Sequence, residues 1–225
     1  MSKPTLYGPA YSTYTRSARL AMEEKGVDYD LVEVDFLQGP MPAEQIERHP
    51  FAKVPALLHN GFKLYEVTAI NRYVDEQFEG PPLQPDDSKE RARMNQIISV
   101  LDNHGYRAMV WDVFVQRSSV PADGGEADEE LIASALPGIG ALLRQLDQWR
   151  GEQRFLAGET LTLADLHFYP MLHYFIETPE GAALLDDFPR LQQWLHDMQN
   201  RDSVRATGFN TNTNDDNDAV DEPGR

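Results

Sequence analysis

The chain has 225 residues, room for one large or two small domains, and 41% hydrophobic residues, enough for a real core. Its 20 Lys and Arg stand against 37 Asp and Glu, a formal net charge of −17, which sets the surface against nucleic acid and anionic membranes. No cysteine is present, which excludes disulfides, zinc–thiolate sites and a thiol nucleophile of the protein's own.

Neither HxxxH nor HExxH spacing occurs among the histidines at 49, 59, 104, 167, 173 and 196, so no metal site is expected. No apolar run approaches the ~20 residues of a membrane helix. The opening MSKPTLYG lacks the apolar stretch of a secretory signal, so a cytoplasmic location is the expectation.

In chain order, Thr5-Leu6-Tyr7 is a short β-prone run that stops at Gly8-Pro9. Residues 14–25 read as a helix, with Tyr14, Ala18, Ala21, Met22 and Lys25 on one face and Gly26 as its stop. Asp30 to Val34 alternates like a strand, and strand–helix–strand over so short a stretch implies a parallel pair. Ala43 to Arg48 can form a short helix after the break at Gly39-Pro40-Met41-Pro42. Ala56 to Leu58 and Phe62 to Tyr65 flank Asn60-Gly61, the signature of a type I′ hairpin. Pro55 stands at the entrance of the first of these strands, where a residue without an N–H is tolerated. A helix over 67–78 follows, with Ile70, Tyr73, Val74 and Phe78 facing inward. The order predicts a four-stranded mixed sheet covered by helices.

The proline-rich EGPPLQPDDS, residues 79–88, predicts a linker after a first domain at 1–78. Beyond it the pattern is helical over 89–208. A long helix over 89–116 is expected to bend at His104-Gly105, and one over 128–149 to kink or break at Pro137-Gly138. Helices over 163–177 and 189–200 complete this half. The stretch 209–225 is polar and acidic, and a disordered tail is expected there.

Four constellations could carry chemistry. Ser12 stands in front of the first helix, where a serine is first of all an N-cap, and where a hydroxyl can also face an anion held at the helix's positive end. Val54-Pro55 is an X-Pro pair that, if cis, would turn the Val54 backbone outward. Glu66, with the open N–H groups of Val67 to Ala69, could hold an amino-acid zwitterion, although a Glu there also simply complements the helix dipole. Thr162-Leu-Ala-Asp165 fits a capping box with Asp in place of Glu, a folding element.

Together these signals resemble the cytosolic glutathione transferases, serine-type and bacterial-like. The resemblance runs from about Thr5 to about Gly208 on "LYG…S-x-Y-x-R-x-x-R…EKG", "HPFAKVPAL", "LYE…AI…Y" and "LTLADL". It implies an α/β thioredoxin-like N-terminal domain, an all-α C-terminal domain and a cytoplasmic homodimer. It implies that Pro55 is cis and that the Val54 backbone pairs with the cysteinyl part of glutathione, a co-substrate. Lys53 matches a position near the glycyl carboxylate and Glu66 one beside the γ-glutamyl group. Where the family usually carries Ser, this chain has Val67, which removes a hydroxyl contact and keeps an N–H.

Ser12 aligns with the catalytic serine; Tyr11, Tyr14 and Tyr7 are competing hydroxyls. A thiol of pKa near ~8.5 is mostly protonated at neutral pH, and a hydroxyl donor plus a helix N-terminus favour its thiolate. With no cysteine in the chain, any reacting thiol arrives with the substrate. The implied activity is conjugation of glutathione to a hydrophobic electrophile, a detoxifying reaction, with Tyr11, Tyr106, Val110 and Phe114 as candidate walls of the electrophile site. A non-catalytic binding or interaction module on the same fold, or a glutathione-dependent isomerase or peroxidase, are the alternatives.

Overall fold

The computed structural model describes residues 3–34 and 39–208. The N-terminal half begins with β1 (Thr5–Tyr7), α1 (Thr13–Lys25) and β2 (Asp30–Val32), followed by α2 (Ala43–Arg48). The hairpin β3 (Ala56–His59) and β4 (Phe62–Tyr65) leads into α3 (Val67–Gln77). The sheet order is β2-β1-β3-β4: β1 runs parallel to β2 and antiparallel to β3, with Leu6 opposite both Leu31 and Leu57. This is the mixed sheet the chain order predicts. Asn60 and Gly61 have φ of 53° and 79°, the two positive values of a type I′ turn, and His59 pairs with Phe62 to close it.

Helix α1 is stopped by Gly26, whose φ of 67° lets its N–H reach back to Met22 O and Glu23 O. Its face of Ala18, Leu20, Ala21 and Met22 is fully buried and packs on α3 and on the helical half. A buried ion pair joins its last residue, Lys25, to Asp75 of α3 at 3.1 Å. Asp75 also accepts from Leu83 N at 2.8 Å, so the proline-rich connection is pinned to the sheet domain. Leu83 O in turn accepts from Leu163 N at 2.9 Å, tying it to the helical half as well.

The helical half begins with α4 (Ser88–Val100), which continues without a break through π-helical turns over Leu101–Gly105 and Arg107–Phe114 into α5 (Val115–Arg117). The expected bend at His104-Gly105 is therefore a long widened stretch. Tyr106 N bonds to Leu101 O and Val115 N to Val110 O, five residues back. The region 118–126 contains the short helix α6 (Ser119–Ala122).

Helix α7 (Glu129–Arg150) runs through Pro137 unbroken. Pro137 and Ala133, whose carbonyl loses its partner, lie on the exposed side, where water can replace the missing N–H. Then come α8 (Leu163–Ile176), α9 (Pro179–Leu185), α10 (Pro189–Gln199) and α11 (Asp202–Ala206). Helices α9 and α11 were not anticipated. Trp194, Tyr169, Phe168 and Phe175 fill the centre of this half. The tail expected to be disordered, 209–225, lies outside the described residues.

Candidate functional site

The turn from β1 into α1 places the first constellation. Gly8 N donates to Val32 O at 3.0 Å, Ala10 N to Glu33 Oε1 at 3.1 Å, and Ser12 N to Pro9 O at 3.0 Å. Ser12 is the N-cap of α1, with extended backbone, and its Oγ accepts from Thr15 N at 3.4 Å. Capping does not consume the hydroxyl. A serine accepts through its lone pairs and keeps one O–H to donate, so Ser12 can hold Thr15 N and still donate to an anion at the helix end.

Of the neighbouring tyrosines, Tyr14 has its hydroxyl committed elsewhere. Tyr14 donates to Asp102 Oδ1 at 2.9 Å, and its ring packs against Tyr106 at a tilt, with centroids 4.4 Å apart. Burial, and then the Asp102 carboxylate, push its pKa far up, so it is a poor source of anionic oxygen. His167 Nε2 lies 2.8 Å from the same Asp102 oxygen. Burial alone would raise the Asp102 carboxyl; the hydrogen bonds from His167 and Tyr14 outweigh it and hold it low. Tyr7 lies under the Arg48 guanidinium, 4.0 Å from its ring centre. Tyr11 is 40% exposed, and its carbonyl accepts the hydroxyl of Tyr174 from α8.

Val54-Pro55 forms the second part, directly ahead of β3, and its peptide bond is cis. Gln45, fully buried on α2, donates from Nε2 to Lys53 O at 2.9 Å and so braces this segment from behind. The Lys53 side chain is exposed and free to reach toward a carboxylate. Gly8 is what brings the Ser12 turn against this segment, because a Cβ there would stand 3.3 Å from Val54 Cβ.

Glu66 is the third part. It is the N-cap residue of α3, with φ of 67°, a value uncommon for a side chain of its size, and its carboxylate makes no cap bond. Such backbone is kept where surrounding structure demands it, often at binding sites. The carboxylate points outward and comes within 4.0 Å of His49 Nε2. Burial, followed by Lys53, lowers the His49 pKa against the pull of Glu66. Val67 is buried, so its side chain serves packing, and the N-terminal N–H groups of α3 remain the polar feature there.

Of the electrophile-site candidates, Tyr106 lies against Tyr14, and Phe114 lies 4.4 Å from the Tyr174 ring, which also holds Tyr11. Val110 is buried at 6% exposure and contributes packing more than open surface. Thr162 and Asp165 stand elsewhere, at the buried start of α8. Asp165 Oδ2 accepts from Thr162 N and Oγ1, and Oδ1 from Leu156 N and Trp194 Nε1, all within 2.8–2.9 Å. Sequence reasoning missed Gly8, Gln45, Asp102, His167 and Tyr174. Only Gly8 gave a local signal, a glycine at a strand end. Among the described residues no group of three or more His, Asp or Glu could hold a metal ion, and no helix is long and apolar enough to cross a membrane.

The family model described as "Glutathione S-transferase, N-terminal domain" matches residues 6–82, and that of the C-terminal domain residues 106–202. Glutathione S-transferase F13 of Arabidopsis thaliana is 30% identical over 200 residues, 87% of this chain and 90% of that protein. The chain belongs to the glutathione S-transferase family. Among solved glutathione transferases, F7 from Populus trichocarpa superposes with a TM-score of 0.81 at 27% identity, covering 91% of this chain and 97% of that one. Glutathione S-transferase I from maize, solved in complex with an atrazine glutathione conjugate, gives 0.81 at 28% identity, over 92% of this chain and 96% of that one. The thioredoxin-like sheet domain and the helical C-terminal domain are thus those of the glutathione S-transferases.

Proposed function

We propose that the protein is a glutathione transferase that ionises the thiol of bound glutathione and adds it to a hydrophobic electrophile. The observation that carries this is the placement of Ser12. Its Oγ caps α1 through Thr15 N while retaining a proton to donate, and Gly8 packs that turn against Val54 and cis-Pro55.

The extended tripeptide would pair its cysteinyl backbone with Val54, as an added strand does. Lys53 would meet the glycyl carboxylate. Glu66 would take the ammonium, and the N–H groups of Val67 and its neighbours the γ-glutamyl carboxylate. Ser12 Oγ–H then donates to sulfur, and the α1 N-terminus adds positive potential. Lowering the thiol pKa by two units requires about 2.7 kcal/mol, within reach of a charge-assisted hydrogen bond plus a helix terminus. Ser12 forms no covalent bond. The electrophile would lie between the domains, among Tyr11, Tyr106 and Phe114, with Val110 behind them.

The domain division proposed is 1–78 and 89–208 around a linker at 79–88. We also propose a cytoplasmic homodimer that binds neither nucleic acid nor membrane. The acidic surface supports the last point, and Phe51, 66% exposed, is a side chain that a second copy would cover.

The test is retention on immobilised glutathione followed by conjugation of an aryl chloride. Binding with turnover supports the proposal. Binding without turnover toward aryl, epoxide, peroxide or isomerisable substrates favours the non-catalytic module, as does failure in both retention and conjugation. Turnover of a peroxide or isomerisable substrate alone favours the peroxidase or isomerase reading.

A further inference from the structure

The stretch from Gly8 to Ser12 is held by hydrogen bonds along its length, and one of them comes from the other half of the molecule. Val32 O and Glu33 anchor it from within the sheet domain, Ser12 N closes back on Pro9 O, and Ser12 accepts from Thr15 N and Arg16 N of α1. A further anchor is the hydroxyl of Tyr174 on α8, donated to the carbonyl of Tyr11, the residue before Ser12. Tyr174 is buried, whereas Glu33 is exposed. The same Tyr174 ring packs against Phe114 on the π-helical stretch, centroids 4.4 Å apart and planes inclined by 36°.

We propose that Tyr174 is a positioning residue for thiol activation: it fixes the Tyr11–Ser12 backbone from the helical domain and couples that backbone to the Phe114 side of the electrophile site. The inference rests on the reading of Ser12 given above. The orientation of Ser12 Oγ is set by the peptide unit that Tyr11 O belongs to. Productive geometry at a reacting atom tolerates errors of only about 0.5 Å. A restraint on Tyr11 O from a packed, buried ring is therefore a restraint on where the Ser12 proton points.

The coupling runs both ways. An aromatic electrophile seated on Phe114 presses on Tyr174, and Tyr174 holds the turn that ionises the thiol. The groups around the phenol are Arg16 of α1, His173 and Glu177 of α8 and its flank, Tyr106 of the long helix, and Tyr11 itself. Burial, opposed by Arg16, pushes the Tyr174 hydroxyl up, so it stays protonated and stays a donor throughout the working range of the enzyme.

The experiment compares the parent, Tyr174→Phe and Tyr73→Phe in the conjugation of an aryl chloride over pH 5.5–9 (about the range that brackets an activated thiol). Tyr73 donates no bond to the Ser12 turn; its hydroxyl lies 2.8 Å from His59 Nδ1, so its loss measures what an ordinary tyrosine hydroxyl is worth to the fold. For Tyr174→Phe we expect kcat to fall about fivefold and the kinetic pKa of the bound thiol to rise by about half a unit, with KM for glutathione within about twofold. Tyr73→Phe should lower the melting midpoint without moving that pKa. A Tyr174→Phe variant that melts lower but keeps the parent's kinetic pKa overturns the proposal, since a merely structural tyrosine would behave so. Should Tyr174→Phe not fold, Phe114→Leu keeps the hydroxyl and loosens the ring. A pKa rise in that variant supports the coupling, and an unchanged pKa overturns it. A parent that neither ionises glutathione nor conjugates it defeats the transferase reading itself, which is a different result.

Discussion

Gly8 leaves no room for a methyl group beside Thr15: a Cβ built on it would stand 2.4 Å from Thr15 Oγ1. The same atom would press on Val54, so this one position sets the spacing between the Ser12 turn and the cis-Pro segment. Gly8→Ala should therefore act as overpacking, at a cost of about 1–3 kcal/mol. The variant is expected to melt lower and to lose about tenfold in kcat/KM for glutathione, because the two halves of the binding groove are wedged apart. A variant with the parent's melting midpoint and kcat/KM would show that the turn yields freely and that the spacing is not fixed here.

In the proposed mechanism Ser12 caps α1 and donates to sulfur, and its replacement should show both. Ser12→Ala removes the cap on Thr15 N, which costs about 1 kcal/mol of stability. It also removes the donor to sulfur, so turnover at neutral pH should fall by about tenfold or more and the kinetic pKa should move up toward ~8.5. Ser12→Thr keeps an oxygen for both tasks and should retain most of the stability and part of the activity. Glutathione affinity should change little, because the proposed contacts to the tripeptide are those of Val54, Glu66 and Lys53. Equal turnover of the alanine variant and the parent with several electrophiles would remove Ser12 from the mechanism.

Much of this was legible locally. The type I′ turn at Asn60-Gly61, the stop at Gly26, the cap position of Ser12 and the polar partner of Thr162 each depend on neighbours within a few residues, and sequence records such neighbours. What was not legible depends on distant ones. Asp102 meets Tyr14 across 88 residues and His167 across 65, so no spacing rule could join them. The close approach of Gly105 to Leu142, where a Cβ would lie 2.9 Å away, likewise joins residues far apart in the chain. Helix α9 is different. Thr178 caps Gly181 N and Pro179 opens the first turn, a readable start signal on a helix too short to show a period.

Asp165 is the most heavily committed carboxylate of the helical domain. Burial pushes its pKa up while two backbone N–H groups, the Trp194 indole and the Thr162 hydroxyl oppose that. Asp165→Ala would strand Leu156 N, Thr162 N and Trp194 Nε1 inside the core. Each buried donor left without a partner costs about 1–3 kcal/mol, so the total should exceed the ~1 kcal/mol of an ordinary cap. We expect a loss of about 3 kcal/mol or more in denaturant unfolding. Asp165→Asn keeps the size, retains one acceptor oxygen and should lose less. A melting midpoint unchanged in the alanine variant would mean that water or a shifted loop replaces every one of these bonds.

His173 gives the fold a pH dependence whose sign can be worked out. Its ring stacks on Tyr169 at 5.7 Å, its Nε2 lies 3.3 Å from Glu177, and Tyr174 is next to it. Burial, with the Arg16 guanidinium added, lowers its pKa from 6.5 to about 4. The imidazole is therefore neutral in the folded chain over a range in which the unfolded chain would take up a proton. Unfolding binds that proton between about pH 6.5 and 4, so stability from this group is complete above pH 6.5 and falls as pH drops toward 4. At about 1.36 kcal/mol per unit the loss is at most about 3.4 kcal/mol. His173→Phe preserves a ring for Tyr169 and cannot titrate, so its unfolding free energy should fall less steeply between pH 6.5 and 4 than the parent's. If Glu177 instead held His173 charged, replacing the histidine would leave the acid slope equal or steeper, and the assignment of a neutral ring would fail.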